Sequence, residues 1–160
     1  MKIYIAADHA GFNLKAALAE QLATFGHEVE DLGAHALDPE DDYPDFITPC
    51  AQKVAGEPGS FGIVIGGSGQ GEAMAANRVQ GARAAVFYGK ERAVATLEIE
   101  GGSGEDGFDP IRLSRRHNDA NILSLGARFI SGTDAIEAVR VFLDTAFSGK
   151  ERHTRRLAKF

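Results

Sequence analysis

The sequence predicts an α/β protein with a doubly wound, five-stranded parallel sheet and helices on both faces. Three observations predict it. Short apolar runs alternate with amphipathic stretches along the whole chain. The run Phe61–Ile65 is continuously apolar, as a strand covered on both faces must be. The 160 residues, 44% hydrophobic and 25% charged, can bury one sizeable core but show no linker or internal repeat. One domain spanning 1–160 is therefore expected.

The elements follow in order. Lys2–Ala7 reads as a buried strand. Asn13–Phe25 places Leu14, Leu18, Leu22 and Phe25 on one helical face, and Gly26 ends that helix. His27–Leu32 is a second strand and Gly33–Tyr43 a loop carrying Asp38, Glu40, Asp41 and Asp42. Pro44–Ala55 is a helix with Pro44 and Pro49 early in it. The strand Phe61–Ile65 runs into Gly66-Gly67-Ser68-Gly69-Gln70-Gly71, and a helix spans Glu72 to Asn77. Ala84–Phe87 is a strand, Lys90–Glu98 a helix, Ile122–Leu125 a strand, and Asp134–Phe147 a long helix. Lys150–Phe160 is short, basic and helical. Between them Glu100–Pro110, glycine-rich and acidic, reads as a mobile loop within an insertion near 99–113. In a sheet of this Rossmann-like kind, ligands bind beyond the carboxyl ends of the strands.

Composition narrows the function classes. A net charge of −6 argues against binding nucleic acid through the whole surface. One cysteine, Cys50, allows no internal disulfide. Met1–Ile5 is too short an apolar start for a signal peptide, and no apolar run reaches membrane-spanning length. A cytoplasmic setting with no membrane partner is expected. No H-E-x-x-H, C-x-x-C or EF-hand spacing occurs, so no metal is expected. The acidic loop Asp38–Asp42 reads as solvated, His27 and His35 as surface residues, and Cys50 as core packing.

The glycine loop carries the strongest chemical signal. Gly67, Ser68, Gly69 and Gly71 let backbone N–H groups converge at a helix start, which makes an anion cradle or a tight turn. It is neither a Walker loop nor a dinucleotide fingerprint, because Glu72 stands where the third glycine belongs. Alone, Glu72 is a helix-dipole partner. Beside an anion cradle it is a base facing an oxyanion hole, the pair that proton abstraction next to a carbonyl requires. Asp8-His9 follows the first strand, either capping a helix or handling hydroxyl protons and phosphate charge. His117-Asn118 precedes the fifth strand in what reads as a polar loop. Arg152 and Arg156, spaced i,i+4, match a phosphate dianion if they are not merely a solvated tail.

Six motifs stand in this order: Ala7-Asp8-His9-Ala10-Gly11, Asp42-Tyr43-Pro44-Asp45, Gly66 to Glu72, Ala75-Ala76-Asn77, His117 to Asn121, and Arg152-His153-Thr154-Arg155-Arg156. Together they resemble type B ribose-5-phosphate isomerases, in the family that also holds the galactose-6-phosphate isomerase subunits. The resemblance implies a cofactor-free, metal-free aldose–ketose isomerase working through a cis-enediolate. It implies a homodimer or tetramer with active sites at the subunit interface. Many members carry a Cys base where this chain has Gly66, so the chain resembles the branch in which Glu72 is the base. Ser68 and the amides of Gly67, Gly69 and Gly71 would hold the enediolate, and Asp8 would shuttle protons between O1 and O2. His117 would assist ring opening, with Asn118 near the sugar hydroxyls. His9, Arg128, Arg152 and Arg156 would grip the phosphate, Tyr43 would line the pocket, and His153 joins the substrate-binding set. The insertion leaves open another sugar phosphate, a tetrose or hexose, and a non-catalytic phosphosugar-binding module remains the reading from a different class. Within Glu100–Pro110 the acidic residues suit the sugar end of the pocket or a partner chain, with Phe108 as anchor.

Overall fold

In the computed structural model, residues 1–95, 97 and 106–159 are described. Five parallel strands, β1 (Lys2–Ala7), β2 (Glu28–Asp31), β3 (Phe61–Gly66), β4 (Ala84–Phe87) and β5 (Ile122–Gly126), lie in the order β2-β1-β3-β5-β4. The chain leaves β1 toward one edge and returns on its other side as β3. The crevice between β1 and β3 is therefore the topological switch point, where loops part and a ligand can enter. The register sets Ala7 beside Ile65, so the loops after these strands start side by side.

Alternation along the strands divides the core. Ile3, Ile5, Ile63, Ile65, Leu123 and Leu125 face α1 (Phe12–Thr24), α4 (Asp109–Asn118) and α5 (Gly132–Asp144), where Leu18, Leu22, Phe108, Ile111 and Phe142 meet them. Tyr4, Ala6, Val64 and Ile122 face α2 (Pro44–Gly56) and α3 (Gln70–Ala76). A last helix, α6, spans Glu151–Leu157. Cys50 is fully buried in the second layer, and burial pushes its thiol up to about 12. Phe25 is displaced from the expected stripe: it lies just past α1 and is 48% exposed.

Two expectations fail between β4 and β5. Lys90–Glu98 is not a helix over its described part, since residues 90–95 and 97 are irregular; Thr96 and Glu98 lie outside the described residues. Helix-favouring residues are present there, but Val94 is fully exposed and, among the described residues, no apolar stripe reaches the core, so packing gives a helix little to gain. The helix of this crossover is α4 instead. It takes in Asp109, Pro110 and the His117-Asn118 segment, all read as loop from the sequence. Phe108, 1% exposed and 5.6 Å from the Phe87 ring, roots it in the core as the expected anchor. Residues 98–105, most of the Glu100–Pro110 segment, lie outside the described residues.

Candidate active site

The β1 and β3 loops build one half of the site. Gly69 has φ +74°, a conformation that only glycine adopts cheaply, and this turns the chain from β3 into α3. Buried Ser124 on β5 donates to the Gly69 carbonyl at 2.6 Å, and Ala127 and Arg128 N–H groups donate to Gly66 and Gly67 carbonyls. The turn is thus tied to the strand beside it. Ser68 is half-buried, its Oγ accepting from Gln70 N–H at 3.3 Å.

Glu72, in the first turn of α3, is only 4% exposed. Its carboxyl folds back onto Gly66: a Cβ placed there would lie 1.9 Å from Glu72 Oε1. A side chain at position 66 and this Glu72 pose therefore exclude each other. Burial raises the Glu72 pKa and nearby Asp8 adds to the rise, while N–H groups of Glu72 and Gly69 donate to the carboxylate and oppose it. The Gly69 amide thus serves the carboxylate, leaving Gly67 and Gly71 as the loop amides nearer a ligand. Around this centre, the Arg128 guanidinium lies over Gly67, and the Tyr43 ring lies against Gly71, at 3.3 and 2.8 Å from an added Cβ. Asp8 is buried, its Oδ1 accepting from Ala10 and Gly11 N–H.

One residue of this half was misread. Asp41 is not solvated with the rest of the acidic loop: its side chain is 7% exposed and Oδ1 lies 2.6 Å from His9 Nδ1. No local spacing signals this, since the contact spans 32 positions. Asp8, His9 and Asp41 are also a group among the described residues whose ligand-type atoms lie within 4.8 Å of one another. Within it, Asp8 Oδ1 and Asp41 Oδ1 face N–H donors of neighbouring residues.

The other half gathers at the opposite end of the sheet. His117 and Asn118 close α4, just before β5 begins, with Asp119 in the left-handed region as cap. Buried Arg115 fixes that end: it donates to the Thr145 and Ala120 carbonyls and lies over the Phe61 and Phe142 rings. His117 stacks on His153 of α6, centroids 4.2 Å apart. His153 is 2% exposed and accepts from Arg152 Nε at 3.1 Å, so its neutral Nδ1 carries the proton. Burial lowers its pKa, with His117, Arg152, Arg156 and Lys150 adding to the effect. Arg152 is half-buried and Arg156 exposed one turn on. Asn118 is exposed beside Asn77 and Arg83.

The first half thus unites Asp8, His9, Tyr43, Ser68, Glu72 and Arg128. His117, Asn118, Arg152, His153 and Arg156 are not with them. Ile122 and Gly126 mark the two ends of β5, and four residue steps separate them by about 13 Å.

The sequence model of the ribose/galactose isomerase family matches residues 3–101 and 109–160. The chain belongs to the ribose/galactose isomerase family. Ribose-5-phosphate isomerase B of Mycobacterium leprae is 39% identical over 157 residues, 98% of this chain and 86% of the relative. The crystal structure of ribose-5-phosphate isomerase B from Mycoplasma genitalium with bound ribulose 5-phosphate superposes with a TM-score of 0.84. It is 37% identical and the match covers 99% of this chain and 92% of that one. The Thermotoga maritima enzyme gives 0.83 at 39% identity, over 99% and 95% of the two chains. Between residues 3 and 160 the family match breaks off at 102–108, within the segment expected as an insertion. Among the described residues no helix is long and apolar enough to cross a membrane.

Proposed function

We infer that this member of the ribose/galactose isomerase family interconverts ribose 5-phosphate and ribulose 5-phosphate. One observation carries the assignment of roles: the buried Glu72 carboxylate against Gly66, at the head of the glycine loop. A protein that only bound phosphosugars would gain nothing from a carboxylate beside its anion cradle. In the proposed reaction Glu72 takes the C2 proton of the open-chain aldose. The electron pair moves into the C1–C2 bond, and charge develops on the former carbonyl oxygen. Ser68 and the Gly67 and Gly71 amides face that charge. Asp8 shifts a proton between O2 and O1, and protonated Glu72 returns its proton to C1, giving the ketose. No atom is gained or lost.

Ring opening and part of the phosphate grip need the other cluster. His117 would act on the ring oxygen, Asn118 on sugar hydroxyls, and Arg152 and Arg156 on the phosphate with His9 and Arg128. Since the clusters sit at opposite ends of the sheet, a second copy of the chain supplies the second cluster to the first. The homo-oligomer of this proposal is at least a dimer. Coexpressing Glu72→Gln and His117→Asn chains tests both points together. Each variant alone should be inactive on ribose 5-phosphate. Randomly paired dimers should regain about a quarter of wild-type sites, because half the dimers are mixed and each mixed dimer has one intact site. No recovery in verified mixed dimers would place both residues in one chain's site. Inactivity of wild type on ribose 5-phosphate beside turnover of a tetrose or hexose phosphate would move the assignment to that sugar.

A further inference from the structure

His9 is held in an unusual way for a residue at a pocket mouth. It follows β1 directly, with its side chain 31% exposed. Asp41 reaches it from the loop between β2 and α2. The same oxygen, Asp41 Oδ1, lies 2.6 Å from His9 Nδ1 and accepts the His9 backbone N–H at 3.2 Å. Ring and main chain are thus fixed to one atom. The other oxygen, Asp41 Oδ2, is buried and finds no hydrogen-bond partner among the described residues. A buried carboxylate with an empty oxygen is costly to keep ionised unless a cation stands against it. The groups facing His9 are Asp8 at the end of β1, Asp41 from its loop, and Arg128 after β5. The two carboxylates outweigh the one guanidinium. The hydrogen bond to Asp41 is the largest cause raising the imidazole's pKa, with burial and Arg128 opposing it.

We propose that Asp41 is a positioning residue that holds His9 with Nδ1–H turned inward and Nε2–H outward, as a cationic donor to the substrate phosphate. The proposal rests on the reading of His9 as a phosphate ligand given above. It adds that the grip depends on a residue in no contact with the ligand. An imidazolium donates a charge-assisted hydrogen bond, roughly twice as strong as a neutral one. A neutral His9 could also present Nε2 as an acceptor, which repels phosphate oxygens. The carboxylate therefore decides both the charge and which way the proton points.

Asp41→Asn separates the two effects. The amide keeps an oxygen for Nδ1–H but loses the charge that sustains the imidazolium. In wild type, affinity for inorganic phosphate should follow the His9 titration seen by NMR, strong below it and falling as pH rises through it. In Asp41→Asn that titration should move down toward the ordinary histidine value. KM for ribose 5-phosphate should then rise about tenfold at pH 8 and by much less at pH 6, with the loss on KM rather than kcat. Asp41→Glu, which restores the charge, should recover part of the affinity. An unshifted His9 titration, or a KM rise equal at both pH values, would overturn the positioning role. If Asp41→Asn does not fold, the wild-type measurement decides: phosphate affinity that ignores the His9 titration overturns the proposal. His9→Gln is the separate control. Unchanged phosphate affinity in that variant rejects His9 as a ligand, whatever Asp41 does to its titration.

Discussion

Gly66→Ala tests the base without touching it. Gly66 ends a strand with ordinary backbone, so alanine fits the main chain. Its methyl group would sit 1.9 Å from Glu72 Oε1 and 2.1 Å from Cδ, where ordinary contact begins at 3.4 Å. The carboxyl must therefore retreat by about 1.5 Å. A misplacement of about 1 Å already costs on the order of 10²-fold in rate, and complete loss of a general base costs about 10²–10⁴-fold. We expect kcat on ribose 5-phosphate to fall by about 10²–10³-fold, a barrier increase of about 2.7–4 kcal/mol. Stability should change little, because the displaced group is the end of a flexible side chain. A Tm within about 4 °C of wild type corresponds to roughly 1 kcal/mol for a domain of this size. The assay is initial-rate formation of ketose, with phosphate affinity and Tm measured alongside. On a Glu72→Gln background the same substitution should cost almost nothing further, since both act on one group. A Gly66→Ala enzyme within tenfold of wild-type kcat would refute the reasoning, and so would full additivity in the double variant.

Burial raises the Glu72 pKa, and the base works only when ionised. The acid limb of the kcat profile should accordingly lie above the ordinary glutamate value of 4.5, with rate falling as pH drops through it; a limb at or below that value counts against Glu72. Cys50 is fully buried with a thiol pushed up to about 12, so iodoacetamide at pH 8 should leave both thiol and activity intact until the chain is unfolded. Phe108→Ala should destabilise by about 3–5 kcal/mol, read as a shift in urea midpoint, because the ring is fully enclosed against Phe87.

β1, β3, β4 and β5 were legible because each is a short apolar run, and α1, α2 and α5 because an apolar stripe or a proline start announces them; β2 carries only one apolar residue, Val29. The crossover between β4 and β5 was not. Its helix carries Arg112, Arg115, Arg116 and His117, and only Ile111 and Leu113 are apolar. Arg115 fills a place where periodicity looks for a leucine, burying its guanidinium against two phenylalanines and two carbonyls. The cues that could have found it were Pro110 near a helix start and three basic residues in the last turn. In the site, Glu72 was legible because it breaks a glycine pattern at a fixed offset. Asp41 was hidden among four acids within five residues, three of them exposed, and only the folded chain tells them apart.

The Phe87–Phe108 contact has a consequence for how this crossover can change length. The two rings close the chain between them into a loop whose ends are fixed by the core, with a Glu91 N–H to Gly107 carbonyl hydrogen bond just inside them. A change of chain length between those ends leaves both anchoring rings in place. Its cost is the entropy of a longer closed loop, about 0.6 kcal/mol for each doubling. An aromatic pair contributes about 0.5–1.5 kcal/mol beyond its area burial, enough to cover such a change. It is within this crossover, at 102–108 and so up to the Phe108 anchor itself, that the match to the rest of the family is interrupted.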